Sequence, residues 1–397
     1  MLQGVVVANY PSYEPQRWHL TMITFAMLIV QGLMHMYAFW LIPWVELVTG
    51  VLHIVLFVVF VTILVAMGPR HSANFVFFSE QSSSGWNNSY ISWNLGLLTP
   101  TWGFVGFDGA VHMSEEVRRA KQAVPRSMFW TVAINGVLAY SIIITVLFTM
   151  GSIGDVLEAS SPIMHIFYQA TGSMRAATAM ICGLLVVSFA VNLASIASTS
   201  RLTWAWSRDG ALPEWFSYVR FLFPLTPVFI CPRFPCSMLT DPVQIDRKHC
   251  VPVRAVWLPI AIVMILSCLN IASTTAFGAF VALSSIGLFA SYIIAISCMV
   301  HARLTRNRLH FGEWTMGRLG LPVNIFALLY TSYLTVFLPF PQLLPVQADN
   351  MNYALPIFGA NILFALAFWF LWARKNWRGL NKEVIRLVVE SGELSLK

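Results

Sequence analysis

The chain has 397 residues, 57% of them hydrophobic and only 10% charged, with a net charge of +7. A soluble domain carries about 25% charged residues, so this much apolar surface must face lipid rather than one enclosed core. The basic excess does not indicate nucleic-acid binding, because Lys and Arg lie between long apolar stretches, where they act as topology signals.

Six cysteines show no disulfide-framework spacing; Cys182, Cys268 and Cys298 fall inside apolar spans and read as packing residues. Residues 1–17 lack the apolar core of a cleavable signal peptide. A spanning helix needs about 20 apolar residues. The sequence predicts nine spans, at 20–42, 45–68, 90–112, 128–150, 176–198, 256–271, 276–301, 321–341 and 352–372.

The third span differs from the rest. It is interrupted by Pro100, Gly103, Gly106 and Gly109, carries the acid Asp108, and runs into a charged patch of Glu115, Glu116, Arg118, Arg119 and Lys121. Non-helical backbone survives at membrane depth only where protein or a water-filled cavity satisfies its polar groups. Transporters place such interrupted helices at the substrate site.

Orientation follows from the basic residues. With the segment after 90–112 in the cytoplasm, segments 113–127, 199–255, 302–320 and 373–397 hold 4, 7, 4 and 6 of them, against three (Arg17, Arg70, Arg175) on the other side. That 21-to-3 bias puts the N-terminus outside and the C-terminus inside. Residues 1–19 are then an extracellular segment, 20–372 the transmembrane domain and 373–397 a cytoplasmic tail. An external N-terminus without a signal peptide leads to the expectation that helices are missing upstream. Asn87-Asn88-Ser89 is a glycosylation sequon on the outer side, a short pattern common by chance.

Two stretches stand apart. Arg201 to Asp209, RLTWAWSRD, flanks aromatic residues with charge, as an interfacial segment does; the plainer alternative is a solvated loop with aromatic anchors. Residues 219–244 form an atypical cytoplasmic insert, apolar but unable to span because of Pro224, Pro227, Pro232, Pro235 and Arg233. Cys231, Cys236, His249 and Cys250 make a poor zinc set, since adjacent His249 and Cys250 rarely both ligate one ion. Codons for Val219-Arg220, Leu239-Thr240 and Val243-Gln244 can supply splice-donor, branch-point and acceptor sequences, so 219–244 reads as a translated intron.

The motifs FVGFDGAVHMSEEVRRAKQAVPRSM, NLASIASTSRLTWAWSRDGALPEWF, VPVRAVWLP, NIASTTAFGAFVALSS, LPVNIFALLY and NMNYALPIFGANI occur in order along the chain. Together they resemble helix six and helices eight to twelve of the amino acid–polyamine–organocation permeases, closest to the fungal GABA and choline permease branch. The resemblance covers nearly the whole chain except 219–244. It implies an all-α polytopic membrane protein with a partial LeuT-like inverted-repeat fold, its nine helices corresponding to helices four to twelve. Helices one to three would be absent, and with them the half-site that the broken first helix supplies.

The break frees backbone groups whose partial charges suit a carboxylate at one end and an ammonium at the other. Gly106 and Gly109 permit the conformations required. Trp102, Phe104 and Phe107 can wall a pocket or stack on an ammonium; equally, they can face lipid. The expected substrate-binding set is Trp102, Phe104, Val105, Gly106, Phe107, Asp108 and Gly109. Asp108 is either a proton-coupling carboxylate or a cap of the second half-helix. The resemblance implicates an acid two residues after this glycine in coupling and gating, and Gly106-Phe107-Asp108 has that spacing.

Glu115, Glu116 and Arg118 are expected to gate the cytoplasmic end, the acids pairing with Arg118 and Arg119 or with basic residues of other loops; the plainer alternative is a solvated interface. His112-x-x-Glu115-Glu116 lacks the second His of a metalloprotease. His53 lies in the resemblance's fifth helix, where a basic group can replace a sodium ion; a His satisfied by polar neighbours is the other reading.

The leading functional expectation is secondary import of an amino acid or small amine, GABA-like or choline-like, with protons as coupling ion. Its partners are the small-molecule substrate and the lipid bilayer, with no cofactor. The alternative is a non-transporting permease fragment. An enzyme is not expected, as no nucleophile–base or metal constellation is present, and no Walker A loop supports ATP-driven pumping. The default location is the plasma membrane, with the vacuolar membrane as the other possibility.

Overall fold

The computed structural model describes residues 1–10, 12–79, 84–217, 253–305, 314–348 and 350–377. The insert 219–244, the Cys231, Cys236, His249 and Cys250 set and most of the 373–397 tail lie outside the described residues. All regular structure among those described is helical. The α-helices of four or more residues are, in chain order, α1 (Leu2–Asn9), α2 (Arg17–Tyr37), α3 (Ile42–Met67), α4 (Ala73–Phe78), α5 (Ser89–Leu95), α6 (Leu98–Gly103), α7 (Gly109–His112), α8 (Ala120–Thr149), α9 (Ile153–Glu158), α10 (Pro162–Thr171), α11 (Met174–Arg208), α12 (Val253–Ala272), α13 (Thr274–Leu304), α14 (Gly320–Phe337) and α15 (Ala354–Phe368).

Among the described residues, eight helices are long and apolar enough to cross a bilayer, and each falls on one of the uninterrupted spans predicted above. Their surfaces are inverted relative to a soluble protein. On α3, Trp44, Leu47, Val48, Val51, Ile54, Val55 and Val58 are all exposed, as side chains facing hydrocarbon are. The chain is an all-α, multi-pass integral membrane protein.

The chain divides into two compact units. The first comprises the described residues of Met1–Gln81, Phe129–Ser198 and Pro259–Ile271. Its core joins Phe60 and Leu64 of α3 to Met164, Ile166 and Phe167 of α10 and Ala177, Met180 and Ile181 of α11. Gly183 lets α3 and α11 approach closely: a Cβ there would lie 2.9 Å from a Leu56 methyl carbon. Helix α2 turns Thr21, Leu28, Gln31, Gly32 and His35 to one buried face. Gln31 donates to the Phe189 carbonyl at 2.9 Å, and His35 donates from Nε2 to the Leu193 carbonyl at 3.0 Å. Both bonds join residues 158 apart in sequence, so α2 and α11 run parallel. Asn192 donates in turn to Gln31 Oε1.

The second unit comprises the described residues of Ser82–Met128, Thr199–Leu258 and Ala272–Lys397. Ala282 and Ile286 of α13 pack with Leu338 and Ala354, with Phe289 and Phe358 against them. Arg303 lies across Gly320 at the start of α14, where a Cβ would meet Nη1 at 2.6 Å.

Helix α11 has 35 residues. At 1.5 Å per residue it is about 52 Å long, well beyond a hydrocarbon core of about 30 Å. Arg201 to Arg208, expected as an interfacial segment or loop, therefore continues the helix. Nothing in RLTWAWSR breaks it; the chain turns only at Gly210, where φ is +78°.

Candidate functional site

Two interruptions divide the third span into short helices. Asn88 starts α5, its side-chain oxygen accepting from Tyr90 N at 2.9 Å and Ile91 N at 3.4 Å. Gly96 and Leu97 turn the chain into α6. Residues 104–108 then form consecutive turns, with Phe104 N bonded to Thr101 O and Gly109 N to Gly106 O. Gly106 has φ +100°, a conformation L side chains rarely adopt. Gly109 opens α7 without a positive φ, so the backbone break needs Gly106 but not Gly109. With α6 at six residues and α7 at four, neither is the full half-helix the sequence led one to expect.

Asp108 sits at the end of the turns with its carboxylate 20% exposed. It makes no side-chain bond to the start of α7, which argues against capping. Its Oδ2 lies 3.6 Å from Nε2 of His112, one turn further on. The buried hydroxyl of Tyr292, on α13, lies beside the same carboxylate. The Phe107 and Tyr292 rings are 5.7 Å apart and Phe289 lies 6.3 Å beyond Tyr292. An acid, an imidazole, a phenol and two further aromatic rings therefore meet at the break. That group suits proton exchange or contact with an organic ammonium. Phe104 is half-buried, whereas Trp102 (54%) and Val105 (37%) are exposed.

Beyond α7 the two acids find partners on α11. Glu116 Oε1 accepts from Arg201 Nε at 2.8 Å, with Arg201 itself 6% exposed. The Glu115 carboxylate accepts from Nη1 and Nη2 of Arg208, each at 3.1 Å, and Arg208 lies over the Trp204 ring at 4.8 Å. Arg118 is exposed on the same segment as the acids. Among the described residues, a concavity of about 520 Å³ is lined by Arg119, Ala120, Lys121 and Gln122, and Asp108 takes no part in it.

The profile of the amino acid permease family matches residues 1–366. The chain belongs to that family. Relatives include amino-acid permease 2 of Neurospora crassa, 29% identical over 96% of this chain and 65% of its own length. The choline transporter of Saccharomyces cerevisiae is 28% identical over 96% of this chain and 63% of its length. An uncharacterised amino-acid permease of Schizosaccharomyces pombe is 27% identical, over 96% and 66%. The chain thus spans just under two thirds of the length of these relatives.

In this chain, sequence reasoning found the break but not all that surrounds it. Tyr292 carries no signal, being one Tyr in an apolar span. Arg201 and Arg208 were visible as charges but not as partners of Glu116 and Glu115. His53 is exposed on α3, in the other unit from Asp108, with no hydrogen bond or ion pair among the described residues.

Proposed function

We propose that this permease is a secondary transporter importing an amino acid or a small amine across the plasma membrane, coupled to protons. The observation that carries the reading is Asp108, a partly buried carboxylate at a glycine-broken transmembrane segment, beside His112 and Tyr292. An acid at membrane depth is expensive when charged and is functional by default. Protonated, Asp108 tolerates the closed site; ionised, it attracts an ammonium. Phe107 and Tyr292 supply ring faces for such a cation. The naming of one relative as a choline transporter fits a small amine. Glu115 and Glu116, held by Arg208 and Arg201, latch the cytoplasmic end.

The test is uptake of radiolabelled GABA, choline and a panel of amino acids by permease-deficient cells expressing the chain, at two external pH values. Saturable uptake of one class, larger at the lower pH and abolished by Asp108→Ala, is the expected result. No uptake of any substrate at either pH contradicts the reading and favours a chain that does not transport on its own.

A further inference from the structure

The segment that joins the broken span to α8 carries more positive charge than its surroundings neutralise. Residues 117–127 read VRRAKQAVPRS, with four basic residues and no acid. The two acids just before them are taken by another helix, Glu116 by Arg201 and Glu115 by Arg208, both on α11. Arg119, Lys121 and Arg126 are exposed, and among the described residues none of them has an ion pair or a side-chain hydrogen bond. Arg119 and Lys121 line the concavity of about 520 Å³, a volume in the range of small-molecule sites. Arg126 lies further along α8, just before the uncharged run 128–149 of the same helix, which is long and apolar enough to cross a bilayer. At about 1.5 Å per residue, Lys121 stands about 8 Å beyond Arg126 along the axis. The headgroup layer on each side of the hydrocarbon is about 5–8 Å thick. The three cations therefore span the depth at which lipid phosphates lie.

We infer that Arg119, Lys121 and Arg126 form a binding site for the headgroup of a phosphorylated inositol lipid, its acyl chains remaining in the bilayer beside α8. Basic residues at one end of a span orient the chain, but orientation depends on their number alone. Here two uncompensated cations wall one concavity and a third borders the hydrocarbon, an arrangement that orientation does not require. Charge selects the lipid. A phosphodiester carries one negative charge and a phosphomonoester about 1.5 to 2 at neutral pH. A headgroup with one of each matches the three cations, whereas a zwitterionic headgroup leaves them uncompensated. Guanidinium groups take phosphate oxygens in pairs, and Lys121 adds a point charge between the two arginines. Nothing in this site depends on Asp108 or on transport, so binding is measured without either.

The test is titration of the purified full chain in detergent with dioctanoyl phosphatidylinositol 4-phosphate, read by native mass spectrometry. A basic residue near a lipid surface is worth about fivefold in affinity, so Arg119→Gln, Lys121→Gln and Arg126→Gln should each weaken binding about fivefold and the triple variant about a hundredfold. All three side chains are exposed, so the variants should unfold at the wild-type temperature. Arg318→Gln, at an exposed arginine outside the patch, should change affinity less than about twofold. Phosphatidylserine, with one net charge, should bind at least about fivefold more weakly. Free inositol 1,4-bisphosphate should bind at least about tenfold more weakly than the lipid, because it has no chains to bury in the apolar phase. The inference is overturned if the triple variant binds within about twofold of the wild type, or if Arg318→Gln weakens binding as much as the single patch variants do. Binding of phosphatidylserine or of free inositol bisphosphate as tight as that of the phosphorylated lipid also overturns it.

Discussion

The Glu116–Arg201 pair is lopsided, and that makes its two deletions unequal. Arg201 is 6% exposed and Glu116 45%. Arg201→Met keeps the stem in its buried position and leaves Glu116 free to rehydrate. Its effect should resemble loss of an exposed pair, about 1 kcal/mol or less. Glu116→Ala instead removes the carboxylate from beside a guanidinium that water barely reaches, leaving Ser200 Oγ at 3.2 Å among its contacts. Breaking a fully buried pair costs about 3–5 kcal/mol; with one partner half-exposed, about 2–3 kcal/mol is expected. Glu115→Ala, at a carboxylate 60% exposed, serves as control at about 0–1 kcal/mol. Thermal unfolding of the purified protein reads the order, at about 1 °C per kcal/mol for a chain of this length. An Arg201→Met variant destabilised as much as Glu116→Ala would refute the argument, because it would mean the charge on Arg201 is not what burial makes costly.

Two further outcomes follow from the geometry. Gly106→Ala forces a side chain into φ +100°, which should lower stability by about 1–2 kcal/mol and reduce uptake more than Gly109→Ala does, since Gly109 has no positive φ; parallel thermal and uptake assays read both. Gln31→Leu removes the bond to Phe189 O and strands the Asn192 amide, so a loss of about 2–3 kcal/mol is expected, partly restored by adding Asn192→Leu; equal losses for the single and double variants would show that the amide pair is not coupled.

Much of the fold was legible because membrane spans are written in composition. Runs of apolar residues of bilayer length gave α2, α3, α8 and α11 to α15 near their observed places, and Gly106 gave the break, whereas Pro100 and Gly103 fall inside α6. The end of α11 was not legible: charge in RLTWAWSRD reads as the edge of a span, while helix continuation depends only on the lack of a breaker before Gly210. Asp108 stood out as an acid in an apolar run. Its setting did not, since Tyr292 on α13 reaches it through tertiary packing that no local pattern encodes. Arg201 and Arg208, about two turns apart, share one face of α11, and only the continuation of that helix carries both to Glu116 and Glu115.

The proposal that Asp108 carries the proton-linked step is tested by substrate-induced proton uptake in proteoliposomes containing the purified protein. Adding the transported substrate should acidify the lumen, and Asp108→Asn should abolish this signal while the protein keeps its fold by thermal unfolding. Substrate-driven acidification that persists undiminished in Asp108→Asn would contradict it.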